Sequence, residues 1–189
     1  MQFAKDSFLL ALQERLAALN PARTVTLNGA TMPAVVVVEN LPPSFAAPQP
    51  NTFYVEWGAA DVVSGGGGTG TLMSLDVTIS YYTMGSVQSM VDRGRLLAQL
   101  DSELLSICQA TSTEKRDYTQ SPSADLGTSV FWNQPSFNEG KGAGRFGGRV
   151  SFPERVRSGV TEDAESHQDA RVERKARMTL YFFSEVAAI

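Results

Sequence analysis

The chain carries one histidine and one cysteine, His167 and Cys108, and they bound the chemistry it can do. A serine-protease-like triad would need His167, which lies in the charged run TEDAESHQDAR. No G-x-S-x-G turn exists to present a nucleophile beside it. Zinc sites draw on several His and Cys ligands, so this sequence cannot assemble one from them. Cys108 adjoins Ile107 at the end of a helical pattern and reads as a small buried hydrophobe, not a nucleophile. Paired carboxylates occur, Asp61 with Asp76 and Glu162 with Asp163. Neither pair sits in surroundings that would raise one pKa and lower the other, as acid–base catalysis requires. The acidic run also lacks the ligand spacing of a Ca²⁺ loop. The glycines at 65–68, in SGGGGTG, suggest a phosphate loop, but no Gly-Lys-Ser/Thr follows. The next element there is a strand, whereas an anion would be held at a helix N-terminus. These residues predict no enzyme, no metal site and no cofactor.

A second kind of chemistry is charge. Lys141, Arg145, Arg149, Arg155 and Arg157 alternate with Phe146 and Phe152, a composition that can neutralise phosphates and stack on bases. Glu162, Asp163, Glu165 and Asp169 follow and offset it, and the whole chain has a net charge of −4. A chain selected for gripping duplex nucleic acid carries a basic bias instead. The stretch 138–170 therefore reads first as an insertion that docks on protein, with nucleic acid as the alternative. No apolar run approaches the ~20 residues that cross a bilayer. The N-terminal MQFAKDSFLLALQERL includes Asp6, Gln13 and Glu14 and lacks a small-residue cleavage site, so it is not read as a signal peptide.

The elements that position these residues show in the periodicity. Residues 6–19 form a helix with Phe8, Leu9, Leu12, Leu16 and Leu19 on one side, ended by Asn20-Pro21. Asn28-Gly29 suits a type I′ hairpin turn, in which both central residues have positive φ. The valine run 35–38 predicts a strand covered on both faces. A proline-rich loop leads to a strand at 53–57, and a glycine tip at 64–70 joins it to a strand at 72–82. In that second strand Leu75, Val77, Ile79 and Tyr81 face one way. Asp76, Thr78, Ser80 and Tyr82 face the other. The period then changes: Val87, Met90, Val91, Leu97, Leu100, Leu104 and Ile107 predict one long helix. CQATSTEKRDYTQSPSADLG reads as a polar loop, and SVFWNQPSFN as a strand with Phe131 out of phase with Val130 and Trp132. The last strand, VERKARMTLYFF, sets Val172, Ala176, Met178, Leu180 and Phe182 against Glu173, Lys175, Arg177, Thr179 and Tyr181. One charged strand face implies a sheet that packs helices on one side only. The expected architecture is a single α+β domain over 1–189: a mixed, mostly antiparallel sheet with the N-terminal helix and the long helix on one face, plus long loops.

In element order the chain resembles the tail terminator and tail-completion (head–tail joining) family of tailed bacteriophages. The resemblance rests on the N-terminal amphipathic helix ending at Asn20-Pro21, the strand YVEWG, and DVTISYYT running into MVDRGRLLAQLDSELLSI. The aromatic strand VFWNQPSF and the closing strand RKARMTLYFF complete it. The glycine tip and the 138–170 insertion depart from the pattern. The resemblance implies a structural virion protein, assembled in the host cytoplasm, that forms a ring, usually of six copies, at the head-proximal end of the tail. Such a ring stops growth of the tail tube protein, meets the head connector, and passes DNA through its lumen without sequence-specific binding. Arg145, Arg149, Arg155, Arg157, Glu173, Lys175 and Arg177 then become candidate docking or inter-subunit residues. Asp76, Thr78, Ser80 and Tyr82 become the candidate lumen or seam face. The alternatives are another ring-forming neck or baseplate adaptor and, from a different class, a small hydrolase dependent on His167.

Overall fold

A computed structural model describes residues 1–41, 48–65, 70–84, 90–137 and 171–184. Helix α1 spans Gln2–Leu19 and starts four residues earlier than the sequence pattern implies. Its buried face is Ala4, Ser7, Phe8, Ala11, Leu12 and Leu16. Leu19 does not belong to that face: it is exposed at the helix end. Strands β1 (Thr24–Leu27) and β2 (Ala30–Pro33) make a two-stranded hairpin. Its turn residues Asn28 and Gly29 have φ of 50° and 80°, the left-handed pair that the Asn-Gly dipeptide is suited to supply. β3 (Val35–Val37) is buried at every residue, and the turn of 3₁₀ helix at Val38–Asn40 follows it.

The main sheet has seven strands in the order β3-β4-β5-β9-β7-β6, with β8 also paired to β9. Here β4 is Phe53–Gly65, β5 is Thr71–Met84, β6 is Ser112–Asp117, β7 is Ala124–Trp132, β8 is Ser136–Phe137 and β9 is Arg171–Phe183. Helix α2 (Met90–Cys108) lies between β5 and β6 in the chain. Only β3 and β4 run parallel. The fold is α+β, with a mostly antiparallel mixed sheet. Helix α1 touches β3 at one end of the strand order and β6 at the other, so the sheet curls around it.

Two further details differ from the sequence reading. β4 continues through Ser64 and Gly65, which are strand rather than turn, so β4 and β5 form a long hairpin with Gly65 opposite Thr71. The stretch after α2 is not a loop: STEKRD is strand β6, paired with β7. Its polar residues hide the strand, because the inward positions are Lys115 and Asp117, both buried. Lys115 Nζ donates to Phe183 O at 2.8 Å. Asp117 accepts the Thr119 N–H, the Thr119 hydroxyl and the Gln120 amide, and so builds the β6–β7 turn.

The inner face of the sheet packs on both helices. Val77, Ile79, Met178, Leu180 and Phe182 meet Leu97, Leu100, Leu104 and Ile107 of α2 and Phe8, Leu12 and Leu16 of α1 in one core. Each fully buried side chain of this kind contributes about 1.5–3 kcal/mol. Phe8 stands edge-on to Trp132 and Trp57, at 5.2 and 6.2 Å between ring centroids. Two polar clasps fix the helices. Arg15 donates to Ile107 O, Ala110 O and Ser112 O, satisfying carbonyls at the C-terminus of α2, and its guanidinium lies 5.1 Å from the Trp132 ring. Arg23 grips Glu103 with two 2.9 Å hydrogen bonds, and Asn20 and Gln99 donate to the same carboxylate. Burial alone would push the Glu103 carboxyl up. The hydrogen bonds from Arg23 and Asn20, with the Arg23 charge, outweigh that and hold it below its ordinary value.

Candidate functional site

The face of the sheet turned away from the helices gathers residues that lie far apart in the chain. The β5–β9 register sets Asp76 opposite Thr179, Thr78 opposite Arg177, Ser80 opposite Lys175 and Tyr82 opposite Glu173. Glu173, Lys175 and Arg177 of the candidate docking group therefore share one surface with the candidate lumen or seam face, on adjacent strands ~4.8 Å apart. Asp76 accepts a 3.1 Å hydrogen bond from the Thr179 hydroxyl. Lys175 and Arg177 are exposed and make no ion pair with any described residue. Arg145, Arg149, Arg155 and Arg157 lie outside the described residues, as does His167.

One part of this surface is a correction to the sequence reading. Ser80 and Tyr82 are buried within the chain, and Tyr54 beside them is buried as well. The segment 48–51 folds over them. The Tyr82 hydroxyl donates to Pro48 O, the Tyr54 hydroxyl accepts the Gln49 N–H at 2.6 Å, and the Asn51 N–H donates to Tyr82 O. Among the described residues, the Ser80 hydroxyl finds no hydrogen-bond partner under this strap. Strand alternation sends these side chains outward but carries no information about chain that returns to cover them. The open part of the face is therefore Asp76, Thr78, Lys175, Arg177 and Thr179, bordered by two aromatic side chains.

Those aromatics are Phe131 and Tyr181, direct cross-strand neighbours on β7 and β9, and both are exposed. The out-of-phase position of Phe131 between buried Val130 and Trp132 is what the sequence pattern implied. Beyond Trp132 the ladder is interrupted at residues 133–135. There the Asn133 side-chain oxygen accepts the Thr179 N–H at 2.6 Å, and the Asn133 N–H donates to Thr179 O. The interruption lets Pro135 pass between β7 and β8 without breaking the edge of β9.

Catalytic and ligand chemistry finds little support among the described residues. Cys108 is fully buried, and burial pushes its thiol up to about 12 despite the Arg15 charge nearby, so it is not a ready thiolate. Tyr81 is pushed well above the ordinary phenol range by burial and by its hydrogen bond to Asp101. Asp101 also meets Arg174 at 3.4 Å, a structural triad between β5, α2 and β9. Among the described residues no cluster of three or more His, Cys, Asp or Glu side chains could hold a metal ion. No described helix is long and apolar enough to cross a membrane. A cavity of about 340 Å³ between α1, the β1–β2 hairpin and β3 is lined by Leu9, Gln13, Leu27, Met32, Val36 and Leu41 among others. It presents no titratable group, and the Gln13 amide already donates to Val35 O.

The feature that sequence reasoning missed is the far end of the β4–β5 hairpin. Residues 58–64 of β4 are exposed throughout, with Val62 and Val63 side by side in solvent. The pattern ADVVSG gave a signal, since it breaks alternation with two consecutive valines beside the glycine run. No protein-family model matches the chain, and no curated protein is similar to it at a significant level.

Proposed function

We propose that the protein is a structural subunit of a phage-tail ring, acting at the head-proximal end of the tail to end tube growth and to join tail to connector. The observation that carries this reading is the asymmetry of the main sheet. One face is sealed by both helices, while the other presents Asp76, Lys175 and Arg177 with Phe131 and Tyr181, and among the described residues nothing covers it beyond the strap at 48–51. A lone globule gains nothing from a cationic and aromatic surface that has no partner among the described residues, whereas a subunit repeated by rotation uses such a surface against its neighbour. Of the stretches on which the resemblance rests, the strand DVTISYYT precedes α2 in the chain and the strand RKARMTLYFF pairs with it at the centre of the sheet. The acidic net charge of −4 suits a lumen that lets DNA pass without holding it.

The test is light scattering after size exclusion, with negative-stain imaging, on the purified protein alone and mixed with tail tube protein. Closed rings, alone or on tube ends, are expected. A strict monomer at high concentration that also leaves tube polymerisation unchanged would overturn the reading.

A further inference from the structure

We infer that the exposed arm of β4 beyond its pairing with β3, in one copy, docks on the open sheet face of a second copy, head to tail, with Val62 and Val63 against Phe131 and Tyr181 and with Asp61 against Lys175 and Arg177. The inference rests on the ring reading and names the contact that would build it.

Both halves of the contact are exposed. Val62 and Val63 are 63% and 51% accessible, and Phe131 and Tyr181 are 47% and 37% accessible. These are large apolar side chains gathered in two places, and gathered exposure is what marks an interaction surface. The charges are complementary. This arm, the part of β4 from Glu56 to Gly65, holds Glu56 and Asp61 and no cation. The face holds Lys175 and Arg177, which pair with no described acid, against the single carboxylate of Asp76, which accepts from Thr179.

Within one copy the two patches cannot satisfy each other. Asp61 pairs with Ser74 and Arg177 with Thr78, so they are four residues apart along β5 and on opposite sides of it. Strand geometry puts them about 16 Å apart. Phe131, Tyr181, Ser74 and Asp61 form one row across β7, β9, β5 and β4, which sets Phe131 about 14 Å from the arm. Two complementary patches on one chain that cannot meet in that chain define a heterologous contact, the kind that closes into rings.

The arm also presents its own backbone edge, because β3 covers β4 only at Phe53, Tyr54 and Val55. Irregular pairing between Trp57 and Ala60 and between Val62 and Ser64 blunts that edge against another strand. Side chains rather than an added strand therefore carry the contact. The opposite sheet edge is already shut: the Arg116 N–H donates to Ser7 Oγ, and Ser112 O accepts from Arg15.

The experiment uses the full chain with Val62→Cys and Phe131→Cys together, oxidised gently at high concentration and run on a non-reducing gel. A disulfide needs Cβ atoms ~4 Å apart, so the two positions cannot bridge within one copy, and Cys108 is buried. A ladder of covalent multimers is expected from the double variant, with neither single variant progressing beyond dimers. Asp61→Arg or Arg177→Asp, added singly, is expected to reduce ladder formation about tenfold, and the two together to restore it. The same samples are imaged. A ladder without rings keeps this contact and overturns the ring reading. Rings without a ladder overturn this contact and keep the ring reading. The absence of both overturns the contact as well.

Discussion

The two faces of the main sheet are built from the same strands in alternation, yet they have opposite fates. Residues Val77, Ile79, Met178, Leu180 and Phe182 are sealed by α1 and α2 into one core. One residue away along each strand, Asp76, Lys175 and Arg177 stand in water. The difference teaches where stability and where recognition reside in this molecule. The inner face holds the chain together; the outer face contributes little to folding and is free to be specified by a partner. Between them lies an intermediate zone, where the strap at 48–51 covers Tyr54, Ser80 and Tyr82 and turns outward positions into interior ones.

The comparison breaks most readily on α2. Leu104→Ala removes a fully buried side chain from the seam between the helix and the sheet. A loss of about 2–5 kcal/mol is expected in urea unfolding, with the slope unchanged. A near-neutral result would mean that α2 does not seal the inner face.

The clasp between Arg23 and Glu103 sharpens the same point. Arg23→Ala leaves a buried carboxylate with only Asn20 and Gln99 as donors, and a loss of about 2–3 kcal/mol is expected. The pH dependence has a definite sign. The folded-state pKa of Glu103 is depressed, so its contribution is present above the unfolded-state value and is lost as pH falls through the folded value. Wild-type stability should therefore decline in the acid range below the ordinary carboxylate value more steeply than that of Glu103→Gln. Parallel stability curves for the two proteins would remove the clasp from the list of stabilising contacts.

These cases also show what the sequence could disclose. Local period was enough for the inner face: the 3.6 repeat of α2, the alternation of β5 and β9, the type I′ turn at Asn28-Gly29 and the phase of Phe131 all depend on neighbours in sequence. What could not be read depends on distant chain. β6 escaped notice because its inward positions are Lys115 and Asp117, which become acceptable inside only through Phe183 O and the Thr119–Gln120 turn. Ser80 and Tyr82 looked open because nothing in DVTISYYT encodes the return of Pro48 and Gln49 across them. The two arginine clasps were invisible for the same reason, since Arg15 and Arg23 reach partners about eighty residues or more away in the chain, with separations of 92 and 80 positions. The recognition surface was half legible. Its charged strand residues follow from alternation, but its union with Phe131 and with the arm at Val62 and Val63 needed the strand order.

The smallest effect distinguishes the strap from the open face most finely. Tyr82→Phe deletes a hydrogen bond to Pro48 O while keeping the ring, and should cost about 1 kcal/mol because the strap carbonyl loses its donor. Arg177→Ala, one strand over and in the open part of the face, should alter monomer stability by no more than about 0.5 kcal/mol. Both side chains leave the sheet in the same direction, so alternation alone assigns them the same importance. If the two variants unfold alike, the strap is only resting on the sheet, and the whole outer face, Ser80 and Tyr82 included, is available to a neighbour. If Tyr82→Phe is the more costly and Arg177→Ala is silent in unfolding yet impairs self-association, the face divides where the strap ends. Arg177 then acts between copies, and Tyr82 within one.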